Sequence, residues 1–215
     1  MNLGYRLEPI VDLLTNKSIG QELLAGTDRC PIWDDAQWQE WYEFLAQEIP
    51  LLLPNLRGLL FINLSGHQLL DGAINHSIRS LRNHARRIVI EWTEHQFHDE
   101  DLVDILAKLN FLKGMGFVVA IDDIGAGVGV DGLGRAGAMK ADFCKIDGTY
   151  FQTIRERGAE YLRGLCQHLS YKGSRVIVEW VETEEDYKLA LASGAHLGQG
   201  YFWNKAVTDS IREQN

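Results

Sequence analysis

Cysteine is scarce in this 215-residue sequence, which contains only Cys30, Cys144 and Cys166. An odd number of widely spaced cysteines without a C-x-x-C pair argues against both a disulfide framework and a zinc site. The same pattern suits a reducing compartment. We therefore interpret the three cysteines as small buried hydrophobic residues.

Long hydrophobic runs are missing as well. The amino terminus, Met1 to Pro9, contains no apolar region typical of a signal peptide. The most apolar stretch, residues 49–64, is interrupted by Pro50, Pro54 and Arg57, and it is shorter than the ~20 apolar residues that a membrane helix requires. We expect a cytoplasmic protein that has no membrane partner.

Positively charged residues are also few, because the sequence has 21 Lys and Arg residues but 30 Asp and Glu residues, which gives a net charge of −9. Such a surface disfavours binding of a nucleic acid polymer unless cations bridge the two. With 46% hydrophobic and 24% charged residues, the composition is that of an ordinary globular protein. Without a Pro/Ser-rich linker, the sequence predicts one domain over residues 1–215.

Strand and helix patterns alternate along the chain. The predicted helices lie near residues 34–52, 68–83, 99–115, 131–138, 150–169 and 183–193. The predicted strands lie at residues 5–13, 19–24, 59–64, 87–92, 117–121, 143–146 and 175–179, with a last one ending near residue 199. The five residues Leu14 to Ser18 cannot form a parallel crossover, so the first two strands must be antiparallel. Eight strands alternating with helices predict an α/β fold, a TIM-like (β/α)8 barrel with an antiparallel first strand. An open doubly wound sheet is the alternative.

Polar residues stand at the carboxyl ends of nearly all predicted strands. They are Glu22, Asn63, Glu91, Asp122, Asp123, Lys145, Glu179 and Gln199. In a barrel these ends share one face, and five carboxylates there would repel one another unless cations were bound. Oxygen ligands favour Mg²⁺ or Mn²⁺, and a two-metal site suits phosphodiester hydrolysis. Any one of these acids alone could instead be a solvated loop residue.

The residues themselves resemble a known family, the EAL domains, which are cyclic-di-GMP phosphodiesterases built on a modified TIM barrel. The resemblance runs from Tyr5 to about Ala206, and the signature tripeptide is written here Glu22-Leu23-Leu24. The other matching motifs are Tyr5 to Asp12, Ile62 to Ser65, Ile90 to Glu94, Ala120 to Gly127, Lys145 to Asp147, Val178 to Thr183 and Gln199 to Phe202.

The resemblance implies a role for each matching residue. One metal would be held by Glu22, Asn63, Glu91 and Asp122. Asp123 and Glu179 would serve the second metal or activate the attacking water, and Lys145 would orient that water or screen developing charge. Gln199 and Glu182 would support the metal ligands, and Glu94 would tether the loop after the aspartate pair. The catalytic residues would thus be Glu179, Lys145 and Asp123, and the implied substrate is cyclic di-GMP, opened to linear pGpG.

The sequence departs from the family pattern at several positions. The family has a phosphate-binding arginine after the signature tripeptide, where this chain has Ala25-Gly26. The loop from Ile124 to Val130 lacks the family's hydroxyl residues. Trp180 replaces a glycine and Trp92 an aliphatic residue, and we interpret both tryptophans as core residues that face the helices, in preference to a guanine-stacking role.

Two main functions remain open on this basis. An active metal-dependent phosphodiesterase is the leading hypothesis, since each metal-ligand position is filled. The alternative is a catalytically weak or inactive EAL-like domain that acts as a cyclic-di-GMP receptor or protein-interaction module. An unrelated barrel hydrolase is a third possibility. A homodimer is compatible with the family, whereas the sequence identifies no protein partner.

Overall fold

The structure is a computed structural model of the chain, and it describes residues 3–26, 32–93, 101–126 and 132–203. Eight strands are hydrogen-bonded in chain order as a closed barrel. The strands are β1 Tyr5–Asp12, β2 Lys17–Ala25, β3 Leu59–Leu64, β4 Ile88–Trp92, β5 Val118–Ile124, β6 Phe143–Ile146, β7 Arg175–Val178 and β8 Leu197–Gln199. The helices are α1 Asp35–Leu52, α2 Gly66–Leu70, α3 Gly72–Ser80, α4 Leu102–Gly114, α5 Leu133–Ala138, α6 Gly148–Ile154, α7 Ala159–Ser170 and α8 Glu184–Ala192.

The first strand runs against both of its neighbours. β1 is antiparallel to β2, and it pairs with β8 in an antiparallel register that places Ile10 opposite Gln199. The β1–β2 turn is stabilised by Asp12, whose Oδ1 accepts the backbone N–H groups of Leu14 at 3.2 Å and Thr15 at 3.0 Å. The predicted barrel with an antiparallel first strand is confirmed, and the open sheet is excluded.

The chain divides into two compact units. The first comprises residues 1–7 and 20–119, in which β3 and β4 pair in parallel and are almost wholly buried. Helix α1 begins at a capping box between Asp34 and Gln37. The predicted helix over residues 68–83 is wrong in its bounds, because the chain is already helical at Gly66 and breaks at Asp71. There the Asp71 carboxylate accepts the N–H of Ile74 at 2.8 Å and caps α3.

The second unit comprises residues 8–19 and 120–215. Here the sequence predicts one helix over residues 150–169, which is wrong. Helix α6 ends at Ile154, and α7 begins only at Ala159, after Gly158 with its φ of +83°. A positive φ cannot continue a right-handed helix, and glycine adopts it without steric cost.

The buried thiols of Cys144 and Cys166 agree with the sequence interpretation. Burial raises the pKa of each to about 11, so both stay protonated and behave as small hydrophobic groups. Cys30 lies outside the described residues. Among the helices of the described ranges, none has the length and apolarity needed to span a bilayer.

Candidate functional site

In the first unit, three sequence-predicted ligands lie on neighbouring strands. Asn63 on β3 pairs in register with Glu91 on β4, so their side chains share one face of the sheet. Glu22 on β2 joins them, because the Asn63 amide Nδ2 donates to its Oε1 at 2.7 Å. Glu22 and Glu91 are buried, at 4% and 0% exposure. The three form the first carboxylate group, Glu22–Asn63–Glu91.

Helix α1 fixes the end of β3 on which this group depends. The hydroxyl of Tyr42, a buried residue of α1, lies within hydrogen-bond distance of the Asn63 carbonyl oxygen. The same hydroxyl lies 3.1 Å from Oε1 of Gln68, which also accepts the N–H of Ser65 at 2.8 Å. The backbone of Asn63 is therefore held from the helix side, and this restricts where its side chain can lie.

The Asn63 side chain has a free acceptor. Its Nδ2 is committed to Glu22, whereas its Oδ1 is buried and has no hydrogen-bond partner among the described residues. A buried amide oxygen without a partner costs about 1–3 kcal/mol. A hard cation removes this cost, since Mg²⁺ and Mn²⁺ prefer oxygen ligands of this kind. The first carboxylate group therefore fits a divalent metal.

In the second unit, a bulge places two consecutive acids on the same side of a strand. Side chains of successive strand residues normally point to opposite faces. The β5–β6 register shifts between Ile121 and Ile124, and Asp123 has a φ of +54°, which aspartate tolerates better than most residues. As a result, carboxylate oxygens of Asp122, Asp123 and Glu179 all lie within 4.8 Å of one another. These three form the second carboxylate group, Asp122–Asp123–Glu179.

The buried ammonium of Lys145 lies inside this group. Its Nζ is 2.8 Å from Glu179 Oε1 and 3.1 Å from Asp122 Oδ1, and its side chain is only 1% exposed. Helix α5 supports the same strand end, because buried Arg135 donates from Nη2 to the Asp122 carbonyl at 2.8 Å. The group thus combines three acidic side chains with one basic side chain.

Carboxylate oxygens are the ligands that hard divalent cations prefer, and those of Asp122, Asp123 and Glu179 all lie within 4.8 Å of one another. The second carboxylate group also fits a divalent metal.

Glu8 is a polar neighbour that sequence reasoning missed. Its Oε2 lies 3.5 Å from Nε2 of Gln199, at the outer limit of a hydrogen bond, and Gln199 is itself buried on β8. The sequence pattern pointed only to residues at the carboxyl ends of strands. β1 is antiparallel to β8, so residues near its beginning lie at the carboxyl end of β8. The predicted strand direction was therefore the signal that could have identified Glu8.

The two remaining candidates, Glu182 and Glu94, are not brought into either carboxylate group. The Glu182 side chain is exposed, and its N–H donates to Asp186 Oδ2 at 3.2 Å, within the cap of α8. Glu94 lies outside the described residues. Their supporting roles stay predictions.

The tryptophans that depart from the family pattern have different surroundings. Trp92 is fully buried, which confirms its interpretation as a core residue. Trp180 is 52% exposed, so the same interpretation is wrong for it. The reason lies in its φ of +51°, because a left-handed residue directly after β7 ends the alternation of side chains on which the interpretation depended.

Gly26, which stands where the resemblance implies an arginine, lies in close contact with the backbone of Gly4. Its N–H donates to the Gly4 carbonyl oxygen at 2.6 Å. A Cβ at residue 26 would lie 2.7 Å from that oxygen and from the carbonyl carbon. Any larger residue therefore requires the backbone at Gly4 to move.

Comparison with known proteins identifies the family. The model of the EAL domain matches residues 41–206. The chain therefore belongs to the EAL domain family. The match begins after β2, so Glu22 and Gly26 lie before the matched range.

Two curated relatives come from Escherichia coli strain K12. PdeF, a cyclic di-GMP phosphodiesterase, is 32% identical over 109 residues, which cover 49% of this chain and 14% of PdeF. PdeB, named a probable cyclic di-GMP phosphodiesterase, is 26% identical over 227 residues, which cover 93% of this chain and 42% of PdeB. The chain thus spans less than half the length of these two relatives.

A solved structure with the same fold is that of BlrP1 from Klebsiella pneumoniae, a manganese and cyclic-di-GMP complex. It matches 94% of this chain and 55% of BlrP1, with 22% identity and a TM-score of 0.76. At that identity the likeness supports the barrel fold alone.

Proposed function

We propose that this chain is a divalent metal-dependent phosphodiesterase that hydrolyses cyclic di-GMP to linear pGpG. The observation that carries the proposal is the second carboxylate group, in which three carboxylates and the buried Lys145 converge within a family of named cyclic-di-GMP phosphodiesterases. Asn63, with its free Oδ1, supports metal binding independently.

The ligand assignment in this proposal is the one that the resemblance implies. By that resemblance, Glu22, Asn63, Glu91 and Asp122 would hold one Mg²⁺ or Mn²⁺ ion. Asp123 and Glu179 would serve the second ion or accept a proton from the attacking water. Divalent ions held there would lower the pKa of water and stabilise charge on the phosphate. Hydrolysis adds the water oxygen to one phosphorus and releases the ribose 3′ oxygen, which opens the ring.

The role of Lys145 in the proposed reaction depends on its own charge and not on contact with a metal ion. Its ammonium is held by two carboxylates and shielded from solvent, so its charge acts at low dielectric, where electrostatic stabilisation is strongest. Fixed in this way, it can orient a water molecule toward Glu179 or screen the negative charge that develops on the phosphate.

Glu22→Gln tests the proposal with little change in shape. The glutamine retains an oxygen that can accept from Asn63 Nδ2, while it removes one negative charge from the metal ligands. We expect turnover of cyclic di-GMP to fall at least 100-fold and Mg²⁺ to bind more weakly, because charged oxygen ligands dominate affinity for hard cations. Product is measured by chromatographic separation of pGpG, and metal binding by calorimetry.

Glu43→Gln is the matched control, since Glu43 is exposed on α1, and its turnover should equal that of the wild type. Full activity in Glu22→Gln would contradict the ligand assignment. A wild-type protein that forms no pGpG under either metal would contradict the proposed function.

One observation favours a second candidate function, that of a receptor for cyclic di-GMP. The phosphate-binding arginine is replaced by Gly26, which is packed against the Gly4 backbone, so the charge-assisted contact it would make, worth about 1.5–3 kcal/mol, is missing. Calorimetry that shows binding of cyclic di-GMP with no pGpG formed would establish this function in place of hydrolysis.

A further inference from the structure

Trp180 is a large aromatic side chain that the fold leaves in solvent. It is 52% exposed, whereas Trp41, Trp92 and Trp203 are at most 7% exposed. Burial of so large an apolar ring is ordinarily favourable. Folding of the chain alone therefore does not account for a tryptophan at this position.

The chain nevertheless holds Trp180 in a defined place. Its carbonyl oxygen accepts from Nε2 of Gln152 on α6 at 2.8 Å. Its ring lies against Gly148, the first residue of α6, so closely that a Cβ there would lie 2.1 Å from the ring's Cγ. Only glycine at residue 148 leaves room for this ring.

The backbone at Trp180 is also strained. A φ of +51° costs a residue other than glycine, asparagine or aspartate roughly 1–2 kcal/mol. Glycine at residue 180 would remove this cost. Strain retained by a half-exposed bulky residue indicates a role outside the stability of the fold.

The position of Trp180 connects it to the second carboxylate group. It directly follows Glu179, which pairs with Lys145, and its ring covers the start of α6, three residues after Lys145. The segment after β8 contributes another exposed aromatic residue, since Tyr201 is 55% exposed. The two segments are joined by the Val181 N–H, which donates to the Gln199 carbonyl oxygen at 3.0 Å.

We infer that Trp180 stacks on a purine base of the bound nucleotide and thereby sets affinity for the substrate. This inference rests on the proposed function. A flat ring that packs on Gly148 through Cγ, Cδ1 and Cδ2 and is still 52% exposed offers a stacking surface to a base whose phosphate lies near Lys145. Stacking on an aromatic side chain is worth about 1–3 kcal/mol per base, which corresponds to about 5- to 150-fold in affinity.

The test compares Trp180→Ala, Trp180→Phe and the wild type in steady-state hydrolysis of cyclic di-GMP with Mn²⁺. Trp180→Ala should raise KM at least 5-fold with kcat within 3-fold, because stacking binds substrate and transition state alike. Trp180→Phe retains a ring and should recover most of the loss. Tyr171→Ala is the matched control, since Tyr171 is an 89% exposed aromatic residue at the end of α7, at the opposite end of β7.

A second measurement observes the ring itself. In protein labelled with 5-fluorotryptophan, the fluorine resonance that is missing from Trp180→Phe belongs to residue 180. Saturating cyclic di-GMP should shift this resonance, and calorimetry should show weaker binding to Trp180→Ala than to the wild type.

These outcomes separate the two ideas. If the wild type forms pGpG and Trp180→Ala has an unchanged KM and affinity, stacking is wrong and the proposed function stands. If the wild type binds cyclic di-GMP without product and Trp180→Ala binds at least 5-fold more weakly, the hydrolytic function is wrong and stacking stands. A wild type that binds no cyclic di-GMP overturns both.

Discussion

Replacement of Lys145 by methionine removes the buried cation that contacts two carboxylates of the second carboxylate group. Methionine has nearly the same length and is unbranched, so the change deletes the charge with little loss of side-chain volume. The carboxylates of Glu179 and Asp122, which lie 2.8 and 3.1 Å from Nζ, then remain beside each other and beside Asp123 without the ammonium.

The magnitude follows from these distances. At an effective dielectric constant of 20, unit charges 2.8 and 3.1 Å apart attract by about 6 and 5 kcal/mol. Desolvation of the ammonium offsets several kcal/mol of this sum, and removal of one partner from a buried ion pair costs about 3–5 kcal/mol in practice. We expect Lys145→Met to lower the free energy of unfolding by that amount in EDTA.

A bound cation should reverse part of this loss. The variant's second carboxylate group is one charge more negative, so it should bind Mg²⁺ more tightly than the wild type does. A ligand present at 100 times its Kd stabilises the folded state by about 2.7 kcal/mol. Because Mg²⁺ stabilises both proteins, the difference between them should shrink by RT ln of the ratio of their Kd values, which is about 1 kcal/mol if the variant binds about 5-fold more tightly.

The assay is equilibrium unfolding in urea, in EDTA and in Mg²⁺. Lys188→Met is the matched control, because it removes the same charge from an exposed pair with Glu184, 3.3 Å away on α8. Exposed pairs of this kind contribute only ~0.5 kcal/mol. A loss below ~1 kcal/mol for Lys145→Met in EDTA, or a difference that Mg²⁺ leaves unchanged, would refute this electrostatic description.

Two further predictions concern the second unit. Burial, together with the charge of Arg175, lowers the pKa of His196, whose Nδ1 accepts the Val176 N–H at 3.1 Å. The neutral imidazole therefore contributes fully to the free energy of unfolding above pH 6.5, the ordinary pKa, and this contribution falls as the pH drops below that value. In urea unfolding, His196→Asn should reduce the dependence of the free energy of unfolding on pH between pH 7.5 and 5.5. An unchanged dependence would mean that another group causes it. Gly148→Ala should destabilise the fold by about 1–3 kcal/mol through its clash with the Trp180 ring. Adding Trp180→Gly to Gly148→Ala should restore stability. If the two substitutions changed the free energy of unfolding additively, the contact between residues 148 and 180 would be contradicted.

Much of the barrel could be predicted from local patterns. A connection of five residues between two strands admits only an antiparallel pair, and the structure confirms that geometry at β1 and β2. Helix interiors were less readable. The breaks at Asp71 and Gly158 depend on a side-chain cap and a positive φ, and neither is visible in hydrophobic periodicity.

The second carboxylate group shows what a strand pattern cannot supply. Alternation would place Asp122 and Asp123 on opposite faces, so the sequence could put both at the carboxyl end of one strand but could not show how their carboxylates meet. The register shift after Ile121 and the left-handed Asp123 bring the two carboxylates together. Both features are set by pairing between β5 and β6, which no local window contains.

Trp180 and Gly148 extend this argument to side-chain volume. Sequence comparison treats the tryptophan as an isolated departure, whereas the structure joins it to a glycine 32 residues earlier in the chain. The ring occupies the space that a side chain at residue 148 would fill. The large residue at 180 and the small residue at 148 therefore fit together, and the sequence around either position alone does not show this.

Gly26 shows the same coupling at the other end of the chain. Considered alone, Gly26 stands where the resemblance implies an arginine, and the substitution Gly26→Arg would be expected to provide the missing phosphate contact. The structure places its α-carbon against the Gly4 carbonyl, with 2.7 Å available where a Cβ would stand, and the bond between Gly26 N–H and that carbonyl would have to open. The close backbone contact at the end of β2 is therefore incompatible with an arginine at residue 26 unless the backbone moves. Under the proposed function, affinity for cyclic di-GMP would then come from groups elsewhere in the fold, and we propose that the half-exposed Trp180, next to Glu179, supplies part of it.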